Sequence, residues 1–138
     1  SPNMVITSTV RDVFTSTDMG ESWKGADARQ NFPYTFCRGM AIKPDDPNTI
    51  FVGTGDSNIG VTGAVVRTRD RCESWENTPL PIAPNSPIWK FAVNGADPDT
   101  VLCCSHWGEV FQSENAGDTW SKVEREFTEI RGIVWMPN

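Results

Sequence analysis

Histidine and tyrosine are nearly absent: the 138 residues hold one of each, His106 and Tyr34. The four cysteines, Cys37, Cys72, Cys103 and Cys104, show no CxxC spacing. With a single histidine beside them they make no metal pattern, and neither a metal nor a cofactor is expected. Cys103 and Cys104 are adjacent on a β-like run, so their side chains point to opposite faces and do not easily bond to each other. Buried free thiols are the expectation, which fits a reducing, cytoplasmic compartment better than secretion and leaves the localisation otherwise open. Cationic runs are missing too. Twelve Lys and Arg against eighteen Asp and Glu give a net charge of −6. A protein that tracks phosphates draws its affinity from clustered cations, so nucleic acid is not an expected partner. The apolar runs are only strand-sized, so a membrane-spanning helix, and with it a membrane partner, is not expected.

Tryptophan, by contrast, is plentiful, with six residues, and three of them close copies of one phrase. Ser16, Asp18, Gly20, Ser22 and Trp23 read S-x-D-x-G-x-S-W. Ser113, Asn115, Gly117, Thr119 and Trp120 read S-x-N-x-G-x-T-W. Thr68, Asp70, Ser74 and Trp75 form a third copy in which Cys72 stands where the others have glycine. The tryptophans lie 52 and then 45 residues apart, a period that marks a repeat architecture. The phrase makes sense as a turn. Asp or Asn accepts hydrogen bonds from the backbone just ahead, glycine supplies a positive φ, the hydroxyl ties down a loop carbonyl or amide, and tryptophan plugs the core with an N–H that needs a partner. Cys72 predicts a strained or differently shaped second turn.

Aligning the copies outward from these turns gives four strand types per repeat. The first covers residues 38–42, 89–93 and 131–135, each followed by a breaker. The second covers residues 4–7, 49–53 and 100–104, the last two announced by Asp-Pro. The third precedes each turn, and the fourth starts at its tryptophan. Short β runs at this spacing predict an all-β protein of four-stranded antiparallel propeller blades. There are three blades in residues 1–138, taken as one partial propeller domain. The strand order is permuted: the chain starts on a second-type strand and ends on a first-type strand, the offset by which propellers close. Three blades are too few for a ring. Either two copies join head to tail as a six-bladed homodimer, which the offset favours, or the chain is a piece of a longer propeller.

The phrase resembles the Asp-box, or BNR repeat, of sialidase-like propellers, sortilin-type receptors, xyloglucan-cleaving glycosidases and photosystem assembly factors. The resemblance covers essentially the whole chain, with boxes at 16–23, 68–75 and 113–120. It implies that the box residues are structural, on the blade periphery and away from any active site. It also implies that the first-type strands begin near the top of a central channel, beside loops 9–12, 54–63 and 105–108. The candidate top-face set is then Arg11, Asp12, Arg38, Asp56, Asn58, Trp89, His106, Trp107 and Arg131.

Several chemistries can be weighed on that set. The glycine-rich loop 53–63 has neither G-x-G-x-x-G spacing nor a P-loop lysine, so a nucleotide fingerprint is absent. It reads as a mobile surface loop or as a binding loop over the channel. His106 and Trp107 offer a proton shuttle and a flat face for a sugar or a cation. Arginines grip carboxylates, yet Phe36, Cys37, Arg38 and Gly39 only faintly echo a sialidase signature, and no Tyr-Glu nucleophile pair accompanies Tyr34. A glycosidase needs two carboxylates about 5 to 9 Å apart, and Asp12 with Asp56 is the pair on neighbouring top-face loops. Asp45, Asp46, Asp97 and Asp99 belong to turns. The leading expectation is a non-catalytic scaffold binding a glycan or protein on its top face. The alternatives are a glycoside hydrolase acting through Asp12 and Asp56, and a peptide-binding assembly factor using Arg11, Arg38 and Arg131.

Overall fold

The computed structural model describes residues 4–138. Three antiparallel sheets follow one another along the chain. The first holds β1 (Val5–Ser8), β2 (Val13–Ser16) and β3 (Lys24–Gly25), in that order. A single helical turn, α1 (Ala28–Asn31), leads to the second sheet: β4 (Phe36–Lys43), β5 (Asp46–Gly55), β6 (Gly63–Thr68) and β7 (Glu76–Thr78). The third repeats it with β8 (Ile88–Asn94), β9 (Asp97–Ser105), β10 (Val110–Ser113) and β11 (Ser121–Lys122). Each sheet is a meander, so every strand pairs with its chain neighbour, and the three sheets make part of a propeller.

The core lies between sheets, because successive side chains on a strand face opposite sides. Phe51 and Val65 of the second sheet meet Ile88, Val101, Cys103, Phe111 and Trp120 of the third. Ile6 and Val13 of the first sheet, with Phe32 beyond α1, meet Val52, Val66 and Trp75 of the second. The box tryptophans therefore plug the junction with the preceding sheet. Trp75 packs edge-on to Phe32 at 5.1 Å. Trp23 belongs to the first sheet and stands 46% exposed.

The boxes join the last two strands of each sheet, those of the third and fourth types, as the phrase predicts. Ser22 donates from its amide (2.9 Å) and its hydroxyl (2.5 Å) to Asp18, and Gly20 N–H donates to Ser16 Oγ at 2.8 Å. Ser74 and Asp70 repeat the pattern. In the third box Asn115 accepts from Thr119 N–H and donates through Nδ2 to Thr119 Oγ1. The second hydroxyl thus binds the Asx side chain, not a loop carbonyl or amide as expected: in the first two boxes it donates to a carboxylate, the stronger acceptor within reach, and in the third it accepts from the Asn115 amide. Of the two outcomes expected at Cys72, the turn is strained and not reshaped. The φ of Cys72 is 71°, its amide donates to Thr68 Oγ1 at 2.9 Å, and the turn keeps the shape that Gly20 and Gly117 give. A left-handed non-glycine residue costs roughly 1–2 kcal/mol, and here the backbone and side-chain bonds of the box hold it. The tryptophan N–H finds its partner only in the first box, where Trp23 donates to Gly20 O at 3.1 Å; those of Trp75 and Trp120 are buried without one.

One expected strand does not form. Residues 131–135 carry no strand pairing, so first-type strands number two among the described residues, and the first sheet has three strands. A strand forms only against a neighbouring backbone, and among the described residues no strand lies alongside this segment.

All four thiols are free and buried. Burial, with the nearby Asp12 charge adding, pushes Cys37 up to about 12. Burial pushes Cys72 and Cys104 up to about 11 and Cys103 well above its ordinary value. Thiolate is the reactive form, so these cysteines are inert near neutral pH.

Candidate functional site

Both complete first-type strands carry an extra residue at the same place. The pairing of β4 with β5 shifts between Cys37 and Met40, and that of β8 with β9 between Ile88 and Lys90. A bulge of this kind re-aims the side chains it contains. Here it contains Arg38 in β4 and Trp89 in β8. The two strands approach so closely that a Cβ on Gly39 would lie 2.4 Å from the Trp89 carbonyl oxygen, so only glycine fits. Arg38 lays its guanidinium 3.6 Å from the centre of the Trp89 ring. Trp89 in turn stacks at 3.7 Å on His106, and His106 meets Trp107 edge-on at 4.5 Å. Four of the sequence-derived candidates therefore form one continuous stack, Arg38–Trp89–His106–Trp107.

The stack is anchored at its base and open at its end. His106 is only 7% exposed, whereas Trp107 is 50% exposed. Beneath them runs a polar network that sequence reasoning missed, in which the exposed Asn85 reaches the buried Ser86, Ser105 and Glu109. Asn85 Oδ1 accepts from Ser86 Oγ (2.9 Å) and Ser105 Oγ (2.8 Å), and Trp107 N–H donates to Ser86 Oγ (2.9 Å). Asn85 also donates from its side chain to Trp107 O and from its backbone to the buried Glu109 carboxylate. The signal was the segment 84–87, Pro-Asn-Ser-Pro, whose prolines fix a loop that buries Ser86 and holds the exposed Asn85 against the His106 turn. Two polar atoms of the stack, His106 Nδ1 and Trp89 Nε1, are buried without a hydrogen-bond partner. Such atoms are costly to leave unpaired.

The remaining candidates lie outside the stack. Asp12 holds the backbone together: its carboxylate accepts from the amides of Val13 (2.8 Å), Ala28 (3.0 Å) and Asp27 (3.2 Å), tying α1 to β2. Asp56 closes its own loop by accepting from Val61 and Thr62 N–H at 3.2 Å each. Desolvation raises its pKa, but the loop amides outweigh this and hold the carboxyl below its ordinary value. Asn58 is exposed on the same loop, and Arg11 is exposed on the loop before β2. Arg131 is extended into solvent with Glu129 at 3.4 Å, although its neighbour Ile130 donates to His106 O at 3.1 Å. The three boxes sit at the opposite end of the third strands from the His106 turn, so they do not enter the stack. Among the described residues no group of three His, Cys, Asp or Glu side chains is placed to hold a metal ion.

Residues 11–136 match the family model described as Sortilin, neurotensin receptor 3 (Sortilin-Vps10). The chain is 24% identical to the xyloglucanase Xgh74A of Acetivibrio thermocellus over 98% of its own length and 20% of that protein's, so it spans about a fifth of the curated relatives it matches. Its fold is similar to that of the GH74 xyloglucanase from Xanthomonas campestris, with a TM-score of 0.70 at 17% identity, covering 87% of this chain and 19% of that one. It is also similar to YCF48 bound to D1 peptide, with a TM-score of 0.68 at 15% identity, covering 96% of this chain and 41% of that one. Asp-box turns, propeller-type sheets and the match over residues 11–136 agree: the chain belongs to the Sortilin-Vps10 family of BNR/Asp-box propellers.

Proposed function

We propose that this propeller unit is a non-catalytic binding module that takes a glycan on the face bearing the Arg38–Trp89–His106–Trp107 stack. The observation that carries this reading is the half-exposed Trp107 at the end of a buttressed aromatic column. A flat ring held rigid at an open surface is what a sugar face packs against, and rigidity lowers the entropy lost on binding. The commitment of the Asp12 and Asp56 carboxylates to backbone amides supports binding without hydrolysis.

The similarity to xyloglucanases makes xyloglucan oligosaccharides the first probe. Calorimetric titration is expected to show saturable binding, and Trp107→Ala to weaken it about tenfold or more, about 1.4 kcal/mol. Saturable binding that Trp107→Ala leaves unchanged would remove the stack from the reading. Cleavage of the oligosaccharide that is lost in Asp12→Asn or Asp56→Asn would replace it with the hydrolase alternative.

A second reading, an acidic peptide as ligand, is favoured by the Arg38 guanidinium in the column and by the likeness to a peptide-bound propeller. A peptide pull-down weakened by Arg38→Ala and Arg131→Ala would support it; binding indifferent to both changes would exclude it.

A further inference from the structure

The two ends of the column differ in chemistry: Trp107 ends it in an apolar ring, Arg38 in a cation. The Arg38 backbone is fixed from both sides. Towards the first sheet, Ser8 Oγ donates to Arg38 O at 2.6 Å and the Cys37 amide donates to Thr9 O at 3.1 Å. Towards the third, Gly39 lies against the Trp89 carbonyl. The bulge between Cys37 and Met40 then turns the Arg38 side chain onto the Trp89 ring. A cation–π contact uses the charge of a guanidinium and consumes none of its five N–H donors.

Those donors have no acceptor among the described residues. Arg67, Arg69 and Arg131 each bond to a carboxylate of this chain, whereas the exposed Arg38 bonds to none. The carboxylates on the turns that join second-type to third-type strands are committed elsewhere. Asp12 is taken by the Val13 and Ala28 amides, Asp56 by those of Val61 and Thr62, and the buried Glu109 by that of Asn85. Trp89 Nε1 adds one more N–H without a partner. The Arg38 end of the column therefore has positive charge and hydrogen-bond donors in surplus, in a chain whose net charge is −6. The group that complements it is an anion. A guanidinium fork matches the two oxygens of a carboxylate through parallel N–H···O bonds, which the point charge of a lysine does not reproduce. Holding the fork rigid in advance lowers the entropy lost when the carboxylate arrives.

We propose, on the glycan reading above, that the ligand of this face is an acidic oligosaccharide containing a uronate. One sugar ring packs on Trp107, and the carboxylate of another sugar along the chain is held by the Arg38 fork. The rings of Trp89 and His106 separate the two ends, so a ligand that uses both is longer than one sugar.

Calorimetry with a galacturonate oligosaccharide, its carboxyl-reduced form and a xyloglucan oligosaccharide tests the charge of the ligand without altering the protein. The galacturonate form is expected to bind about tenfold tighter or more than the reduced form, as hydrogen bonds to a charged group do. That margin is expected to shrink as salt is raised, because the pair is exposed. Arg38→Gln is expected to erase the margin with the urea midpoint held, and Arg38→Lys to restore only part of it. Trp107→Ala is expected to weaken binding of all three carbohydrates. Equal affinity for the two galacturonate forms, still lowered by Trp107→Ala, overturns the acidic ligand and leaves the glycan reading standing. A margin that survives Arg38→Gln gives the carboxylate to another cation and overturns the assignment. Binding of none of the three carbohydrates overturns this inference and the glycan reading together.

Discussion

Each box binds its chain end with one side chain, and the identity of that side chain sets a pH dependence. Asp18 receives the Ser22 hydroxyl, the Ser22 amide and the Ser16 hydroxyl, which hold its carboxyl well below the usual carboxylate range. Asp70 is lowered in the same way by Ser74. A carboxyl whose folded pKa lies below its unfolded value contributes stability that is complete above the unfolded value. That contribution is lost as pH falls through the folded one. The window opens at about pH 4, the unfolded value for Asp, and extends downward. Asn115 fills the same role in the third box without titrating. The double variant Asp18→Asn, Asp70→Asn is therefore expected to show a smaller drop in urea midpoint between about pH 6 and about pH 3 than the unaltered chain. An identical drop would show that the box carboxylates do not govern acid unfolding. The box chemistry was legible in the sequence because Asx, glycine and hydroxyl positions have turn preferences of their own. The position before the glycine was not: Met19, Arg71 and Ala116 all have φ between 54° and 62°, and nothing in those side chains favours it. The surrounding hydrogen bonds impose the conformation.

Elements meet at the sheet junctions, and a basic residue bridges to the sixth box position in both. Between the first and second sheets Lys24 pairs with Glu73 at 2.9 Å, both well exposed. Between the second and third, Arg67 has only 5% of its side chain exposed and bonds Glu76 and Asp118 at 2.8 Å and the Ala116 carbonyl. Exposed pairs contribute about 0–1 kcal/mol. Removing Arg67 takes a buried side chain out of the junction and its donor from the Ala116 carbonyl, about 1–3 kcal/mol, while Arg69 still pairs with Glu76 and Asp118. Lys24→Ala is expected to leave the urea midpoint almost unchanged and Arg67→Ala to lower stability by about 2 kcal/mol. Equal effects would contradict this burial argument. The strands themselves were legible as short β runs, since local apolar patterning and turn residues punctuate them. The bulges at Arg38 and Trp89 were not, because a bulge depends on how two sheets approach. Nor was the unpaired state of residues 131–135, whose composition matches the other first-type strands, because pairing depends on a neighbouring strand and not on local composition.

At the scale of the whole molecule, three sheets fan out so that the starts of successive first-type strands come together. This gathers residues 38, 89 and 106–107, far apart in sequence, into one column. The alignment brought these residues to one face, but it could not separate them from the exposed Asn58 or from Asp12 and Asp56, whose carboxylates bind backbone amides. Stacking distances, and the network through Asn85 and Ser86, depend on side-chain packing that periodicity does not encode. The column also supplies its own probe. His106 is the one histidine in the chain, so its imidazole gives a single nitrogen–proton correlation pattern in a magnetic resonance spectrum. The most direct measurement follows that pattern while xyloglucan oligosaccharide, and separately an acidic peptide, is titrated in. A saturable shift of the His106 resonances with the glycan, abolished by Trp107→Ala, is the result expected. Saturable binding, measured by calorimetry on the same sample, that leaves the His106 resonances unmoved would contradict a ligand site on this face.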